Sequence, residues 1–161
     1  MIYNFIGQPH SGKTTLSRYL RTALEISNEI RLVYMIDGDK LRDLFQNKDY
    51  SEAGRRKNIE RAYSIARYIQ DLNPFNDVII AVVSPFLDLR EELKEATEVL
   101  EIYVHTENIR GRENFHVKDF EKPILNFIDI DTTDIDELTS INELLNKIQL
   151  LNIRKNGTTK R

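Results

Sequence analysis

Cysteine and tryptophan are absent from this chain of 161 residues. The lack of cysteine excludes a disulfide framework and a thiolate metal site. No apolar run approaches the roughly 20 residues that a membrane-spanning helix needs. Met1 to Ile6 shows no basic region ahead of an apolar segment, so no secretory leader is expected. An excess of one charge is also missing, with 23 Lys and Arg against 26 Asp and Glu and a formal charge of -3. That balance argues against a general surface for duplex nucleic acid and leaves room for a local basic pocket that suits a small anion. His10, His105 and His116 have no ligand spacing, so a histidine-held metal is not expected. Repeats and low-complexity segments are lacking. The length suits one domain with a real core and is short for two. A soluble, cytosolic, single-domain protein is the expectation.

Glycine is sparse, at 6 residues, yet Gly7 and Gly12 fall in one short stretch, GQPHSGKT (Gly7 to Thr14). An apolar run, Ile2 to Ile6, precedes it. Leu16, Tyr19, Leu20, Ala23 and Leu24 follow at helical spacing. Strand, glycine loop and helix in that order are the context in which G-x-x-x-x-G-K-[ST] binds phosphate. The glycines let successive backbone N–H groups point at one phosphate, and the helix N-terminus adds its positive end. Gln8, Pro9, His10, Ser11 and Thr15 complete the cradle. Lys13 is expected to reach the β- and γ-phosphates, and the Thr14 hydroxyl to ligate magnesium. The plainer alternative is a glycine turn that merely joins a strand to a helix.

Arg31 to Ile36 reads as a second, buried strand that ends at Asp37-Gly38-Asp39. In open α/β sheets the ligand crevice lies beyond the carboxyl ends of the strands, so Asp37 and Asp39 leave the sheet on the same edge as the glycine loop. Asp39 is also a good N-cap for the next short helix, Lys40 to Gln46. A longer helix from Ser51 has an apolar line through Ile59, Ala62, Ala66 and Ile69. One turn back, that line reaches Arg55 with Asn58 beside it, which carries hydrogen-bonding groups toward the ligand edge. Asp77 to Val83 is the most apolar β-branched run and is expected to be the central strand, buried on both faces. It stops at Ser84-Pro85, where Ser84 is either a substrate-facing hydroxyl or a strand terminator. A helix from Phe86 to about Thr97 and a fourth strand, Leu100 to His105, follow.

Thr106 to Pro123 has little periodicity but holds Arg110, Arg112, Lys118 and Lys122. Such a segment reads as a basic lid or as plain surface charge. Asn126 to Ile130 is a fifth strand. Thr133 and Asp136 fit a capping box ahead of a last helix with Ile135, Leu138, Ile141, Leu144, Leu145 and Ile148 on its buried side. The domain is placed at 1–151, and 152–161 is read as a basic, frayed tail. The pattern as a whole predicts an α/β P-loop fold, a five-stranded parallel sheet in three layers with helices on both faces.

Several of these stretches together resemble the adenylyl-sulfate kinase family. DGDKLR (Asp37 to Arg42) is similar to that family's DGDNxR motif, with Lys40 in place of asparagine. YSEAGRRKN (Tyr50 to Asn58) is similar to its FSxxxRxxN motif. SPF at Ser84 to Phe86 and DTT at Asp131 to Thr133 match further elements. The likeness is close to about Leu100 and looser beyond. It implies ATP as donor with Mg2+, Asp39 as general base or hydroxyl-orienting group, and Asp37 supporting the metal. It also implies that Arg42, Arg55 and Asn58 hold phosphosulfate and ribose, that Tyr50 stacks on the acceptor base, and that Ser84 stands where the family has a phosphoryl-intermediate serine. A homodimer is implied as well. The region after the fourth strand is shorter than the family's, and Arg110 and Arg112 are candidates to replace its lid cations. The expected reaction is phosphorylation of the 3′-hydroxyl of adenosine 5′-phosphosulfate. The alternatives are another small alcohol or nucleotide-linked hydroxyl as acceptor, or a nucleotide-binding module without transfer.

Overall fold

The computed structural model of the chain describes residues 1–27, 31–108 and 113–158. Five strands form one sheet: β1 (Ile2–Ile6), β2 (Val33–Asp37), β3 (Asp77–Ala81), β4 (Val99–His105) and β5 (Phe127–Asp131). Every pairing is parallel and the order is β2-β3-β1-β4-β5. The helices are α1 (Lys13–Ser27), α2 (Gly38–Leu44), α3 (Glu52–Leu72), α4 (Leu87–Ala96) and α5 (Glu137–Thr158). The expected three-layer α/β architecture is present.

Strand side chains alternate between two cores, as a period of two requires. Tyr3, Phe5, Ile79, Ile102, Val104, Ile128 and Ile130 pack against Leu16 and Leu20 of α1 and Ile141, Leu144 and Ile148 of α5. Ile2, Val78 and Ile80 face the other way, onto Leu41 of α2, Ile59, Ala62 and Ala66 of α3, and Leu93 of α4. Burying each such aliphatic side chain contributes about 1.5–3 kcal/mol. The double-sided burial makes β1 and β3 near-continuous apolar runs.

Several sequence expectations need correction. β3 is buried along its whole length, but β1 is the central strand. β2 is an edge strand and not fully buried, with Tyr34 39% exposed. Edge position and burial on both faces are decided by strand order, which propensity does not encode. Asp37, not Asp39, caps α2, because its carboxylate accepts from the N–H groups of Asp39 and Lys40. The expected capping box before α5 does not form. Asp136 caps that helix by accepting from the Thr139 N–H, while the Thr133 hydroxyl donates to Asp131 instead. Tyr19 and Leu138, expected in apolar stripes, are 46% and 68% exposed. α5 continues past Leu151 to Thr158. Among the described residues, no helix is long and apolar enough to cross a membrane.

Candidate active site

The glycine loop leaves β1 at the carboxyl edge of the sheet, where neighbouring backbone allows no side chain. A Cβ on Gly7 would stand 2.0 Å from the Val104 carbonyl oxygen, and Gly7 has a φ of 144°. Gly12 and His10 also take positive φ, 98° and 61°. The loop thus curls as a phosphate cradle requires. Lys13 opens α1 and folds back over the loop. Its Nζ donates to the Gln8 carbonyl at 2.6 Å and to Ser11 Oγ at 3.4 Å. Burial lowers its pKa to about 8 against the opposing pull of Asp39 and Asp37. The nearby carboxylates do not fully offset the loss of water around the ammonium.

Asp37 has two roles at the end of β2. One carboxylate oxygen caps α2, and the other lies 3.4 Å from Thr14 Oγ1. A hydroxyl and a carboxylate facing each other beside a phosphate cradle are a donor set that fits a hard divalent cation. Thr14 and Asp37 are the residues that would hold it.

A cavity of about 930 Å³ runs from this cradle across the sheet edge. Lys13, Thr14, Asp37, Asp39, Arg55, Asn58 and Tyr50 are among the residues that line it. The candidate residues that the sequence scatters over more than forty positions therefore share one opening. Asn58 is buried, and its amide nitrogen donates to the Gly38 carbonyl while its Oδ1 has no hydrogen-bond partner among the described residues. Arg42 is less available than expected. Its Nη1 is held by the carbonyls of Asn47 and Asp49, and its guanidinium covers the Tyr50 ring at 4.4 Å. It shapes the loop that presents Tyr50. Arg55 donates to the Tyr50 carbonyl through Nε and to the Phe115 carbonyl through Nη2. Its pKa is lowered by burial first and by Arg42 second. Phe115 meets the Tyr50 ring edge-on at 5.3 Å.

Ser84 does not join this group. It is 0% exposed and lies outside the cavity lining, with its hydroxyl 2.8 Å from the Tyr63 hydroxyl. Tyr63 also accepts from Asn4 of β1, and burial pushes its pKa up to about 12. Ser84 is thus part of a neutral buried network, with no base at its hydroxyl, and the strand-terminator alternative describes it. Arg110 and Arg112 lie outside the described residues, so the lid cations proposed from sequence are not placed.

Two features escape the sequence reading. Gln8 contributes a side chain as well as backbone to the site, since its amide pairs with Val117 in both directions. Arg90 and Glu101, both 0% exposed, form an ion pair of 2.8 Å beside Phe120 and Glu121. Arg90 also donates to the carbonyls of Ser84 and Glu121. A lone glutamate inside the apolar LEIYVH strand is the signal that could have indicated a buried partner.

Comparison with known proteins adds a family to this geometry. The profile described as adenylylsulphate kinase matches residues 1–122. The chain belongs to the adenylylsulphate kinase family. An adenylyl-sulfate kinase of Burkholderia ambifaria is 38% identical over 89 residues, 55% of this chain and 47% of that enzyme. The chain spans about half the length of such relatives. A cytidine diphosphoramidate kinase of Campylobacter jejuni is 28% identical over 130 residues, 78% of this chain and 74% of that enzyme. Among solved structures, the hexameric APS kinase from Thiobacillus denitrificans superposes with a TM-score of 0.72 at 26% identity, covering 92% of this chain and 29% of that one. The chain thus shares its P-loop fold with a solved member of this family.

Proposed function

We propose that the protein is an ATP-dependent kinase that phosphorylates a hydroxyl of a nucleotide acceptor, and that the acceptor is adenosine 5′-phosphosulfate, phosphorylated at its 3′-hydroxyl. The observation that carries this reading is the continuity of one cavity from Lys13, Thr14 and Asp37 to Asp39, Arg55, Asn58 and Tyr50. A pure nucleotide binder needs no acceptor half. The loop N–H groups and Lys13 hold the β- and γ-phosphates of ATP. Thr14, with Asp37 in support, would hold magnesium, which when bound would supply charge neutralisation at the transferring group. Asp39 orients the acceptor hydroxyl and takes its proton as the oxygen bonds to the γ-phosphorus. The bond from that phosphorus to the bridging oxygen breaks, and ADP leaves with the electron pair. Direct in-line transfer of this kind uses positioning and charge stabilisation, so Ser84 is given no step. A cytoplasmic location and a homodimer are proposed with it, and sedimentation equilibrium would check the dimer.

A second acceptor has specific support. The cytidine diphosphoramidate kinase aligns over most of both chains, whereas the adenylyl-sulfate kinases align over half of their own length. Cytidine diphosphoramidate is therefore the second reading. Purified protein with ATP, magnesium and each nucleotide in turn decides between them by ADP release and a new phosphorylated product. Turnover with adenosine 5′-phosphosulfate alone supports the first acceptor, and turnover with cytidine diphosphoramidate alone transfers the assignment to the second. Absence of acceptor-dependent turnover across the panel would leave a nucleotide-binding module.

A further inference from the structure

The segment from the 3-10 turn Glu113–Phe115 to Glu121 is fastened to three parts of the molecule. Phe115 O accepts from Arg55 on α3. Glu121 caps α4 by accepting from the Leu87 N–H, and its own N–H donates to the Pro85 carbonyl. Between them, Val117 meets the phosphate loop itself. Gln8 Nε2 donates to the Val117 carbonyl at 2.7 Å, and the Val117 N–H donates to Gln8 Oε1 at 3.0 Å. The two residues are 109 positions apart. A primary amide is the side-chain group that can satisfy the N–H and the C=O of one peptide residue at once, because it carries a donor and an acceptor on one plane. Aliphatic side chains offer neither group. A carboxylate would set an oxygen against the Val117 carbonyl.

Gln8 also faces inward, through its main chain. Its carbonyl accepts from Lys13 Nζ at 2.6 Å. One residue therefore touches the lysine that meets the donor phosphates and the segment that meets Arg55 and Tyr50 at the acceptor end. Phosphate oxygens that enter the cradle compete with the Gln8 carbonyl for the Lys13 ammonium, which ties Gln8, and through it the Val117 pair, to nucleotide entry.

We infer that Gln8 is a positioning residue that latches the segment around Val117 to the phosphate loop and couples nucleotide occupancy to the acceptor half of the site. The kinetic part rests on the proposed kinase reaction; the latch itself does not. The side-chain pair predicts that losing both bonds loosens the segment by about tenfold, the order expected for two partly exposed hydrogen bonds.

The test uses the full chain and the variants Gln8→Leu, Gln8→Glu and Gln8→Asn, with thermal melts to establish that each folds. Amide exchange at Val117 is read with and without ADP, using the Thr132 N–H, which donates to the His105 carbonyl, as an internal control. The expected result is about tenfold faster exchange at Val117 in Gln8→Leu, with Thr132 unchanged. ADP should alter Val117 exchange in the wild type and leave it unaltered in Gln8→Leu. Gln8→Glu should be as loose as Gln8→Leu, and Gln8→Asn should recover part of the protection. With whichever acceptor is turned over, acceptor KM should rise about tenfold while ATP KM changes little. Equal Val117 exchange in wild type and Gln8→Leu overturns the latch. Faster exchange with acceptor KM held within about twofold overturns the coupling. If the wild type turns over no acceptor, the proposed reaction fails; Val117 exchange in Gln8→Leu against wild type still decides the latch, and its ADP dependence decides the coupling to nucleotide.

Discussion

Burial depresses Lys13 to a pKa of about 8 from its ordinary 10.5, so a phosphate that enters the cradle meets an ammonium whose charge burial has left poorly solvated. The sign of the consequence follows from proton counting. Between about 8 and 10.5 the unfolded chain binds more protons at this site than the folded one, so the Lys13 contribution makes stability rise with pH across that window. Nucleotide has the opposite preference, because its phosphates favour charged Lys13. Nucleotide affinity should therefore fall as pH rises past about 8, with proton uptake on binding there. Calorimetry in two buffers of different ionisation enthalpy would detect the uptake, and Lys13→Met should lose both the uptake and most of the affinity. Uptake unchanged in Lys13→Met would assign it to another group. Ser84 makes the contrasting case at the same scale. Its hydroxyl is buried against Tyr63, so Ser84→Ala should keep turnover within a few-fold while lowering stability by about 1–2 kcal/mol for the orphaned Tyr63 hydroxyl. Loss of all turnover in a folded Ser84→Ala protein would restore a covalent role. The sequence shows Lys13 because its task requires a fixed spacing. It leaves Ser84 ambiguous because the terminus of a strand looks alike whether the hydroxyl turns toward the ligand or toward the core.

α3 and the loop before it show how an element presents a site. Ser51 caps the helix by accepting from the Gly54 N–H, as the Ser51 start read from sequence requires. The loop from Asn47 to Tyr50 then folds over the first turn, with the Asn47 amide donating to the Gly54 carbonyl. A Cβ on Gly54 would fall 2.3 Å from the Asp49 carbonyl oxygen and 2.4 Å from Asp49 Cγ. Gly54→Ala should therefore push the loop away from α3 at a cost of about 1–3 kcal/mol. Because that loop carries Tyr50 and is gripped by Arg42, acceptor KM should rise with little change in ATP KM. Steady-state kinetics beside urea unfolding separates the two effects, and a stable variant with unaltered acceptor KM would show that the loop does not set the acceptor half. The helical period makes Asn58 legible as a continuation of the α3 stripe. Gly54 is not legible, since its reason is a loop backbone that no local pattern describes. The Arg90–Glu101 pair is hidden for a related reason. Its partners sit on α4 and β4 and meet under Glu121, an arrangement that depends on strand order.

At the scale of the whole molecule, the two cores share the strands β1 and β3 and should therefore not melt separately. Residues alternate across these strands, with Tyr3 and Phe5 packed toward α1 and α5 and Ile2 toward α3. Losing either core leaves the same central strands half uncovered, which is unfavourable for a parallel sheet that relies on burial on both faces. We expect residues 1–151 to unfold as one cooperative domain. Leu144→Ala on the α5 side and Ile59→Ala on the α3 side each remove a side chain that is at most 1% exposed. Each should cost about 2–5 kcal/mol. Circular dichroism in the far ultraviolet and tyrosine fluorescence should give coincident urea transitions in both variants, with an unchanged slope. A Leu144→Ala transition that splits, with loss of helix preceding loss of the tyrosine signal, would show α5 and its core to be a separable unit. Coincident transitions would mean that the sheet edge carrying Lys13, Asp37 and Asp39 is held by both layers at once, so that a cavity-forming substitution behind either face loosens the site in proportion to the stability it removes.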